Sequence, residues 1–252
     1  KELRYDKEFI FEYLKKQNYP IEKYNSYFLM FNKLINLNND NCIFTWKEHK
    51  RLYHNITCLP NEILNLCYWN GGAELVEIDI SNSAPYLMIS LLNKHFGEVI
   101  PADVKEYIKS VCNGRLYDDL LSYLGNSNPT KPERDMFKME VCKYIFFGKN
   151  HKSKLFNQFE KIYPSVARFI QVYKHKDKNK LCIDLFKVEV KLIFNNLLPK
   201  LRNHKKDMLI ITKHDAIITS QEYIDVVKFE LEAAGVNVTG YKPHTKIKII
   251  SK

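Results

Sequence analysis

A strand that ends at a carboxylate is encoded by VEIDISNSAPYL, residues 76–87. Val76, Ile78 and Ile80 fall on one face of an alternating pattern, and Asp79 falls on the other. Small polar residues then interrupt the alternation, and the apolar run after the proline predicts a helix. The chain must therefore pass from a half-buried strand into a helix within a few residues of Asp79, so its fold contains both kinds of element.

A matching strand with a carboxylate at its end occurs in the last fifth of the chain. The run MLIIT (208–212) is strand-like, His214 and Asp215 follow it, and AIITS resumes the strand pattern. A sheet that pairs this segment with the first strand would place Asp79 and Asp215 side by side. Because helical patterns fill most of the chain between the two strands, the sequence predicts an α+β fold, with a small sheet of distant segments and an inserted helical block.

Helical patterns and turn signals organise the rest of the chain. We predict helices over 6–37, from the loop after Asp79 to about Asn93, over 133–147 ended by Gly148, over 154–173, over 179–202, and over 223–235 ended by Gly235. We predict loops or turns at NLNNDN (36–41), at Asn70-Gly71-Gly72 and at GNSNPTKP (125–132), and a final strand within YKPHTKIKII (241–250).

Composition and charge leave the class of partner open. The 252 residues are 45% hydrophobic, enough for a sizeable core, and the formal net charge is +10. This basic balance indicates a polyanion such as nucleic acid and a well-solvated surface equally well.

The six cysteines show no zinc-like spacing and are interpreted as reduced, mostly buried thiols. No apolar run approaches ~20 residues and the amino end is too charged for a signal peptide, so we expect a cytoplasmic protein without a membrane partner.

The paired carboxylates indicate a metal site. Adjacent carboxylates repel each other unless a cation lies between them, and a hard divalent ion would meet that need at Asp79 and Asp215. Two metal ions ~4 Å apart are the usual device for in-line phosphoryl transfer. Mg²⁺ fits because it accepts one or two carboxylates and takes its other ligands from water and phosphate. On these two residues alone, the structural interpretation, in which one starts a turn and the other caps one, is favoured.

A pair of cations on the predicted helix 133–147 adds to this chemistry. Arg134 and Lys138 are four residues apart and therefore lie on one face of the helix. Beside a phosphate-transfer site they would hold the β- and γ-phosphates of a nucleotide and stabilise the departing pyrophosphate. An isolated pair of this kind is more often a solvated basic face, helped here by Glu133 and Asp135.

The order of these three features resembles motifs A, B and C of the family A DNA polymerases and the related single-subunit RNA polymerases. In this sequence they are EIDISNSAPYLM, RDMFKMEVCKYIFFGKN and IITKHDAIIT. FEKIYPSVARFIQ (159–171) also resembles the segment that follows motif B in that family. The run HKRLYHNITCLPNEI before motif A looks like the short polymerase-like proteins of phages and mobile elements. The resemblance covers roughly residues 50–252.

The resemblance implies a right-hand polymerase fold. The palm, a small antiparallel sheet, would come from 71–95 and 206–252, the helical fingers with motif B from 96–205, and a reduced helical thumb-like region from 1–70. It implies a metal-dependent nucleotidyltransferase that adds nucleotides to a 3′ end with release of pyrophosphate. The implied partners are a template-primer and nucleoside triphosphates, and the implied cofactor is Mg²⁺, which Mn²⁺ can replace.

Roles carry over to this sequence residue by residue. Metal would be bound by Asp79, Asp215 and the Ile80 carbonyl, and His214 would lie beside the primer terminus. The triphosphate would be bound by Arg134 and Lys138, and Lys138 would also protonate pyrophosphate. Phe146 or Phe147 would stack on the nascent base pair, Ser81 and Ala84 would lie near the nucleotide, and Lys50 and Arg51 would contact nucleic acid.

Three departures from the family pattern carry their own expectations. Lys138 and Gly148 are ten residues apart, where the family has nine, so one residue is extra or the register slips. Ala84 stands where the DNA polymerases carry a glutamate that rejects a 2′-hydroxyl, so we expect weak sugar discrimination and primer or RNA synthesis. The chain is also short, so we expect low processivity or dependence on a partner protein.

Two other classes of protein stay open at this point. A catalytically inactive, palm-shaped nucleic-acid-binding subunit of a mobile element agrees with the altered motif B and the small size. A metal-dependent nuclease could use the same two aspartates, although nucleases generally gather three or more acidic ligands. The sequence does not specify the template, the need for a primer, the biological process or the oligomeric state.

Overall fold

A computed structural model describes residues 3–35, 45–46, 51–54, 56–57, 59–69, 74–148, 153–205 and 207–250. The predicted loop at 36–41, the Asn70-Gly71-Gly72 turn and Lys50 lie outside these residues. Within the described part of the chain, none of the helices combines the length and the apolarity needed to cross a bilayer.

Twelve α-helices and eight strands are described. The strands are β1 (Leu3–Tyr5), β2 (Thr45–Trp46), β3 (Leu52–Tyr53), β4 (Cys67–Trp69), β5 (Leu75–Ile80), β6 (Ile211–Lys213), β7 (Ala216–Ser220) and β8 (Thr245–Ile249). The helices are α1 (Lys7–Lys16), α2 (Ile21–Ile35), α3 (Asn61–Leu64), α4 (Ser83–Phe96), α5 (Ala102–Cys112), α6 (Leu116–Tyr123), α7 (Lys131–Val141), α8 (Lys154–Ile162), α9 (Pro164–Lys174), α10 (Lys180–Val190), α11 (Leu198–His204) and α12 (Ile224–Thr239). Two π-helical segments, Cys142–Phe147 and Lys191–Leu197, extend α7 and α10, and a 3₁₀ turn, Gln221–Tyr223, precedes α12.

The predicted sheet of distant segments is confirmed. Its strand order is β6-β7-β5-β8, and β7 runs antiparallel to both β6 and β5. At the β8 edge, the Ile250 N–H donates to the Leu75 carbonyl and the Ser81 N–H donates to the His244 carbonyl, both at 2.8 Å. All five residues of β7 are buried, as expected for an interior strand of a small sheet. Motifs A and C therefore supply the two central strands.

The chain divides into two compact units. Unit 1 comprises residues 1–79, 199–230 and 246–252, and unit 2 comprises 80–198 and 231–245. Unit 1 is built around a core that joins α1, α2 and α3 to one face of the sheet, through Ile10, Leu14, Phe31, Ile63, Leu64, Leu75, Ile218 and Ile250. Unit 2 is helical, and its largest fully buried side chains are Tyr86, Tyr107, Tyr117, Phe146, Phe156 and Phe159.

The amino-terminal region differs from the prediction of one helical stretch over 6–37. Two helices form, because Asn18 takes a left-handed conformation (φ 49°) and Pro20 cannot continue α1. Two antiparallel ribbons, β1 with β4 and β2 with β3, were not predicted. Strands of two or three residues are too short to show a periodic pattern in the sequence.

The predicted helix over 154–173 is also two helices. α8 ends before Tyr163 and α9 begins at Pro164, because proline fits the first turn of a helix but not its interior. The Ser165 N–H, left free at the start of α9, donates to the Asp103 carboxylate at 2.7 Å. The proline within the aromatic-Tyr-Pro-x-Val segment therefore sets the start of α9.

Gly235 does not end the last helix, contrary to the prediction. α12 continues to Thr239, and Gly240 follows it with φ 81°. A Cβ at position 235 would lie 2.4 Å from Tyr86 Oη and 2.8 Å from Pro243 Cδ. The glycine is therefore needed for close packing, which the sequence pattern does not distinguish from a helix end.

Candidate active site

Of the two predicted metal-binding carboxylates, one lies in β5 and the other lies in the turn that leads into the neighbouring strand β7. Asp79 lies directly opposite Ala216, and Asp215 is the residue that precedes Ala216. Strand spacing and rise place the two Cα atoms roughly 6 Å apart. Both side chains are partly exposed. The fold thus brings together two acids that are far apart in the sequence.

Tight turns hold both carboxylates in place. β6 and β7 form a hairpin with only two loop residues, His214 and Asp215. His214 has φ 61°, in the left-handed region that favours glycine, and Asn82, three residues after Asp79, has φ 54°. Such conformations cost about 1–3 kcal/mol each and persist where the surroundings require them. Histidine and asparagine are among the non-glycine residues that adopt this conformation most often.

The ring of His214 lies in a small polar cluster within unit 1. Tyr53 contacts it edge-on at 5.5 Å between ring centroids. Burial, together with the nearby charge of Arg51, lowers the pKa of His214 to about 4, so the ring is neutral at pH 7. Its buried Nδ1 has no hydrogen-bond partner among the described residues. Arg51 and His214, which were both predicted to contact nucleic acid, therefore lie near each other.

Glu77 and Lys213 lie on the Asp79 face of the sheet and were not singled out from the sequence. Lys213 pairs with Ala216 across β6 and β7, and its Nζ lies 3.8 Å from a Glu77 carboxylate oxygen. Both side chains are largely buried, 16% and 15% exposed. The sequence could have shown the position of Glu77, because the alternation that puts Asp79 on one face of β5 puts Glu77 on the same face.

The segment after Asp79 is held by contacts within unit 2. The Ser81 hydroxyl lies 2.9 Å from His244 Nδ1, and Ser81 is 5% exposed. Gly114 makes room for the His244 ring, since a Cβ there would lie 2.9 Å from it. Ile80 is buried through its side chain, whereas Ala84, in the first turn of α4, is partly exposed. Of the predicted site residues Ile80, Ser81 and Ala84, Ala84 is the one whose side chain a ligand can reach.

The cations of motif B lie on α7 in unit 2. Lys138 is exposed, one turn after Arg134. Arg134 is held by Asp118 of α6, with Nε to Oδ1 at 2.5 Å and Nη2 to Oδ2 at 2.9 Å. This contact raises the pKa of the Arg134 guanidinium. Asp118 is a partner that sequence reasoning missed, because no periodicity links it to Arg134.

The π-helical segment Cys142–Phe147 accommodates the extra residue of motif B. A π-helix takes about one more residue per turn than an α-helix, and such segments often occur at functional sites. Lys138 and Gly148 can therefore be ten residues apart without a slip in the register of α7. Phe146 is fully buried and Phe147 is 36% exposed, with its ring 6.3 Å from Phe186. Of the two candidate aromatic residues, only Phe147 presents its ring to solvent.

The fold was compared with solved structures. The POL domain of Pol1 from M. smegmatis, in a complex with DNA primer-template and dNTP, matches with a TM-score of 0.63 and 13% sequence identity. The match covers 96% of this chain and 55% of that one, so this chain spans about half the length of that structure. The chain has a polymerase-like fold. No protein-family profile and no curated protein sequence matches it.

In this polymerase-like fold, Asp79 and Asp215 fit a hard divalent cation. Mg²⁺ requires only one or two protein carboxylates, and both side chains here are partly exposed, at the ends of adjacent strands. Among the described residues, no group of three or more His, Cys, Asp or Glu side chains gathers around one point. None of the four described cysteines is in a disulfide; Cys67 is buried, whereas Cys112, Cys142 and Cys182 are partly exposed, so the prediction of mostly buried thiols is wrong for these three. Cys42 and Cys58 lie outside the described residues.

Lys174, at the end of α9, closes the carboxyl end of the motif B helix. Its Nζ donates to the carbonyls of Ile145 at 2.7 Å and Gly148 at 3.1 Å. The side chain is 4% exposed, and burial, partly offset by Cys182, lowers the pKa of Lys174 to about 8. Gly148 itself is extended, and a Cβ there would lie 2.0 Å from the Lys143 carbonyl. The glycine thus ends this helix through close approach, without the left-handed turn common at such ends.

The lowered pKa of Lys174 predicts a pH-dependent stability. Below pH 8 the amine is protonated in both states; between pH 8 and 10.5 the folded state has lost the proton and the unfolded state retains it, so stability rises with pH. Relative to Lys174→Met, the wild type should gain about 3 kcal/mol over this range. Urea unfolding of both proteins from pH 7 to 10 measures the difference. Lys161→Met, which removes an exposed lysine, is the control, and its free energy of unfolding should differ from that of the wild type by the same amount at every pH. A difference that is equally independent of pH for Lys174→Met would contradict the prediction.

Proposed function

We propose that this chain is a metal-dependent nucleotidyltransferase of the family A polymerase type, which extends a nucleic-acid 3′ end. The observation that carries the proposal is that Asp79 in β5 pairs with Ala216 of β7, so that Asp215, the turn residue before Ala216, adjoins Asp79 in a polymerase-like fold. The sheet of unit 1 would act as the palm, the helices of unit 2 as fingers, and the amino-terminal region as a reduced thumb.

The reaction joins a primer to a nucleoside triphosphate. The 3′-hydroxyl loses its proton to solvent, its oxygen forms a bond to the α-phosphorus, the bond from that phosphorus to the bridging oxygen of the β-phosphate breaks, and pyrophosphate leaves. Mg²⁺, when bound by Asp79 and Asp215, would lower the pKa of the hydroxyl and offset charge on the phosphates. Mn²⁺ could take its place. Lys138 and Arg134 would hold the triphosphate, and Lys138 would supply a proton to the departing pyrophosphate.

The proposed nucleic-acid partner is a template-primer. Arg51 and His214 lie close together beside the carboxylates of unit 1, so a phosphate and a terminal base pair could be held at that end of the sheet. Exposed Phe147 offers a ring for stacking on the new base pair. The net charge of +10 adds sequence-independent attraction to the phosphate backbone. The phage or mobile-element origin suggested by the sequence is part of this proposal.

Primer extension tests the function directly. The purified chain is incubated with Mg²⁺, a primed template labelled at the primer end, and dNTPs or NTPs. Lengthening of the primer supports the proposal. Shortening of the labelled strand would indicate a nuclease, and a retarded but unchanged strand would indicate the inactive binding subunit; either result overturns polymerase activity. Omission of the metal should abolish extension, and Mn²⁺ should restore it.

Ala84 gives a prediction for sugar selection. The small, partly exposed side chain leaves room for a 2′-hydroxyl, so the wild type should use NTPs nearly as well as dNTPs. Ala84→Glu should raise the dNTP preference by roughly 10- to 100-fold, since one added steric or polar contact is worth that much discrimination. The ratio of kcat/KM values for single incorporation measures it. Ala102→Glu, at an exposed alanine that begins α5, should leave the ratio unchanged. Clean dNTP selection by the wild type would contradict the prediction.

A further inference from the structure

Arg134 and Asp118 form a two-point contact between neighbouring helices of unit 2. Nε and Nη2 of the guanidinium each donate to a different oxygen of the carboxylate, at 2.5 and 2.9 Å. The side chains are only 25% and 37% exposed. A two-point contact fixes both the position and the plane of the guanidinium, which a single-point ion pair does not do.

The contact uses one edge of the guanidinium and leaves the other for a ligand. Arginine has five N–H donors, and the bonds to Asp118 use two of them. The remaining donors, on Nη1 and on the outer side of Nη2, lie along the edge that suits a phosphate. The arrangement therefore orients the guanidinium without exhausting its capacity to bind an anion.

Asp118 is itself held by a well-packed helix. On either side of it in α6, Leu116, Tyr117 and Leu120 are at most 2% exposed. The next residue, Asp119, accepts a hydrogen bond from the Ser110 hydroxyl at 2.6 Å, which ties α6 to α5. The carboxylate that holds Arg134 thus projects from a fixed backbone.

Lys138, the other cation of motif B, is in a different situation. It lies one turn after Arg134, is exposed, and forms no ion pair with the described residues. A flexible ammonium can follow a moving phosphate, whereas a planar guanidinium binds two phosphate oxygens well only if it is oriented beforehand. The two cations therefore have different needs, and only Arg134 has a partner that meets them.

We propose that Asp118 is a positioning residue that orients Arg134 for the triphosphate of the incoming nucleotide. The inference rests on the proposed nucleotidyltransferase activity and adds a residue that acts through Arg134 rather than on the substrate. Without Asp118, the guanidinium must lose its rotational freedom when the nucleotide binds, and the cost falls on nucleotide affinity. Arg134 would contact the triphosphate in the bound complex as well as in the transition state, so kcat changes little.

Single-nucleotide incorporation by Asp118→Asn tests the inference, with KM and kcat measured separately. The KM for the nucleotide should rise about tenfold, and kcat should change less than about threefold. Asp135→Asn is the matched control, because it removes the same charge from the residue next to Arg134, on an exposed side chain. Its KM should stay within about twofold of the wild type. If removal of a negative charge were the whole cause, Asp118→Asn and Asp135→Asn would raise KM equally, and this result would overturn the inference.

A double-mutant cycle separates positioning from a purely structural effect. Arg134→Lys removes the two nitrogens that donate to the Asp118 carboxylate, so adding Asp118→Asn to it should raise KM no further. Independent, multiplying effects of the two substitutions would overturn the inference. Asp118→Glu keeps the charge at a longer reach and should recover part of the lost affinity. If Asp118→Asn does not fold, as judged by thermal unfolding, Asp118→Glu carries the comparison with an expected severalfold rise in KM, and a KM equal to that of the wild type would overturn the inference.

Nucleotide incorporation by the wild type separates failure of the proposed function from failure of the positioning role of Asp118. Absence of incorporation by the wild type overturns the proposed function, and the inference with it. Incorporation by the wild type with the same KM in Asp118→Asn and Asp135→Asn overturns the positioning role alone.

Discussion

Asp215→Asn and Asp79→Asn should each slow nucleotide incorporation by at least about 1,000-fold. Each substitution replaces a proposed metal ligand, a charged carboxylate, by a neutral amide of the same size, and loss of several kcal/mol of transition-state stabilisation corresponds to this factor. The two acids occupy neighbouring positions on β5 and the β6–β7 hairpin, so either loss disrupts the same site. Single-turnover incorporation with saturating template-primer and Mg²⁺ measures the rate.

Binding and a matched substitution make this result specific. Template-primer affinity, measured by fluorescence anisotropy, should stay within about threefold of the wild type, because basic residues supply most of the affinity for phosphates. Asp225→Asn, at an exposed position in the first turn of α12, makes the same chemical change in unit 1 and should leave incorporation intact. Full activity in either site variant would place the metal ligands elsewhere in the chain.

The central part of the fold could be predicted because it depends on local patterns. The alternation around Ile78 defines β5, and the short interruption at His214 and Asp215 defines a hairpin, so both strand ends are visible in the sequence. Pairing of these two strands was a condition of the sequence-based prediction, since a sheet that joined them would place the two carboxylates side by side. The α+β class and the adjacency of Asp79 and Asp215 both follow from this pairing.

Features that depend on contacts between distant residues could not be predicted. Gly235 has the appearance of a helix end, but α12 continues through it, and the missing Cβ leaves room for Tyr86, which is far away in the sequence. The partners of Arg134 and of the Ile145 carbonyl, Asp118 and Lys174, are set by how helices of unit 2 pack. Local periodicity carries no information about such contacts.

The spacing from Lys138 to Gly148 is a third feature whose structural outcome the sequence could not predict. The ten-residue spacing from Lys138 to Gly148 was visible in the sequence, but whether it shifted the register or was absorbed locally was not. The π-helical segment absorbs it after Val141, so Arg134 and Lys138 keep α-helical spacing. Phe147, rather than Phe146, is left accessible. The departure from the resembled motif therefore lies at its aromatic end and leaves the spacing of Arg134 and Lys138 unchanged.

Lys138→Met should reduce kcat for incorporation by about 100-fold or more. The exposed ammonium lies one turn from Arg134, and it would stabilise the departing pyrophosphate and donate a proton to it, an effect worth about 10²–10⁴ in rate. Methionine keeps the apolar stem and removes both the charge and the proton. Pre-steady-state incorporation at saturating nucleotide measures the change. Lys161→Met, at an exposed lysine in the last turn of α8, should have no effect on kcat.

Lys138→Arg separates the charge from the proton. Arginine retains a positive charge near the phosphates, so the KM for the nucleotide should stay within about threefold of the wild type. Its pKa, above about 12, makes it a poor proton donor, so kcat should still fall by roughly tenfold or more. Recovery of full kcat by arginine would assign Lys138 a purely electrostatic role, and full kcat in Lys138→Met would remove the residue from the reaction altogether. A fall in kcat that arginine does not repair, with KM preserved, is the result expected of a general acid.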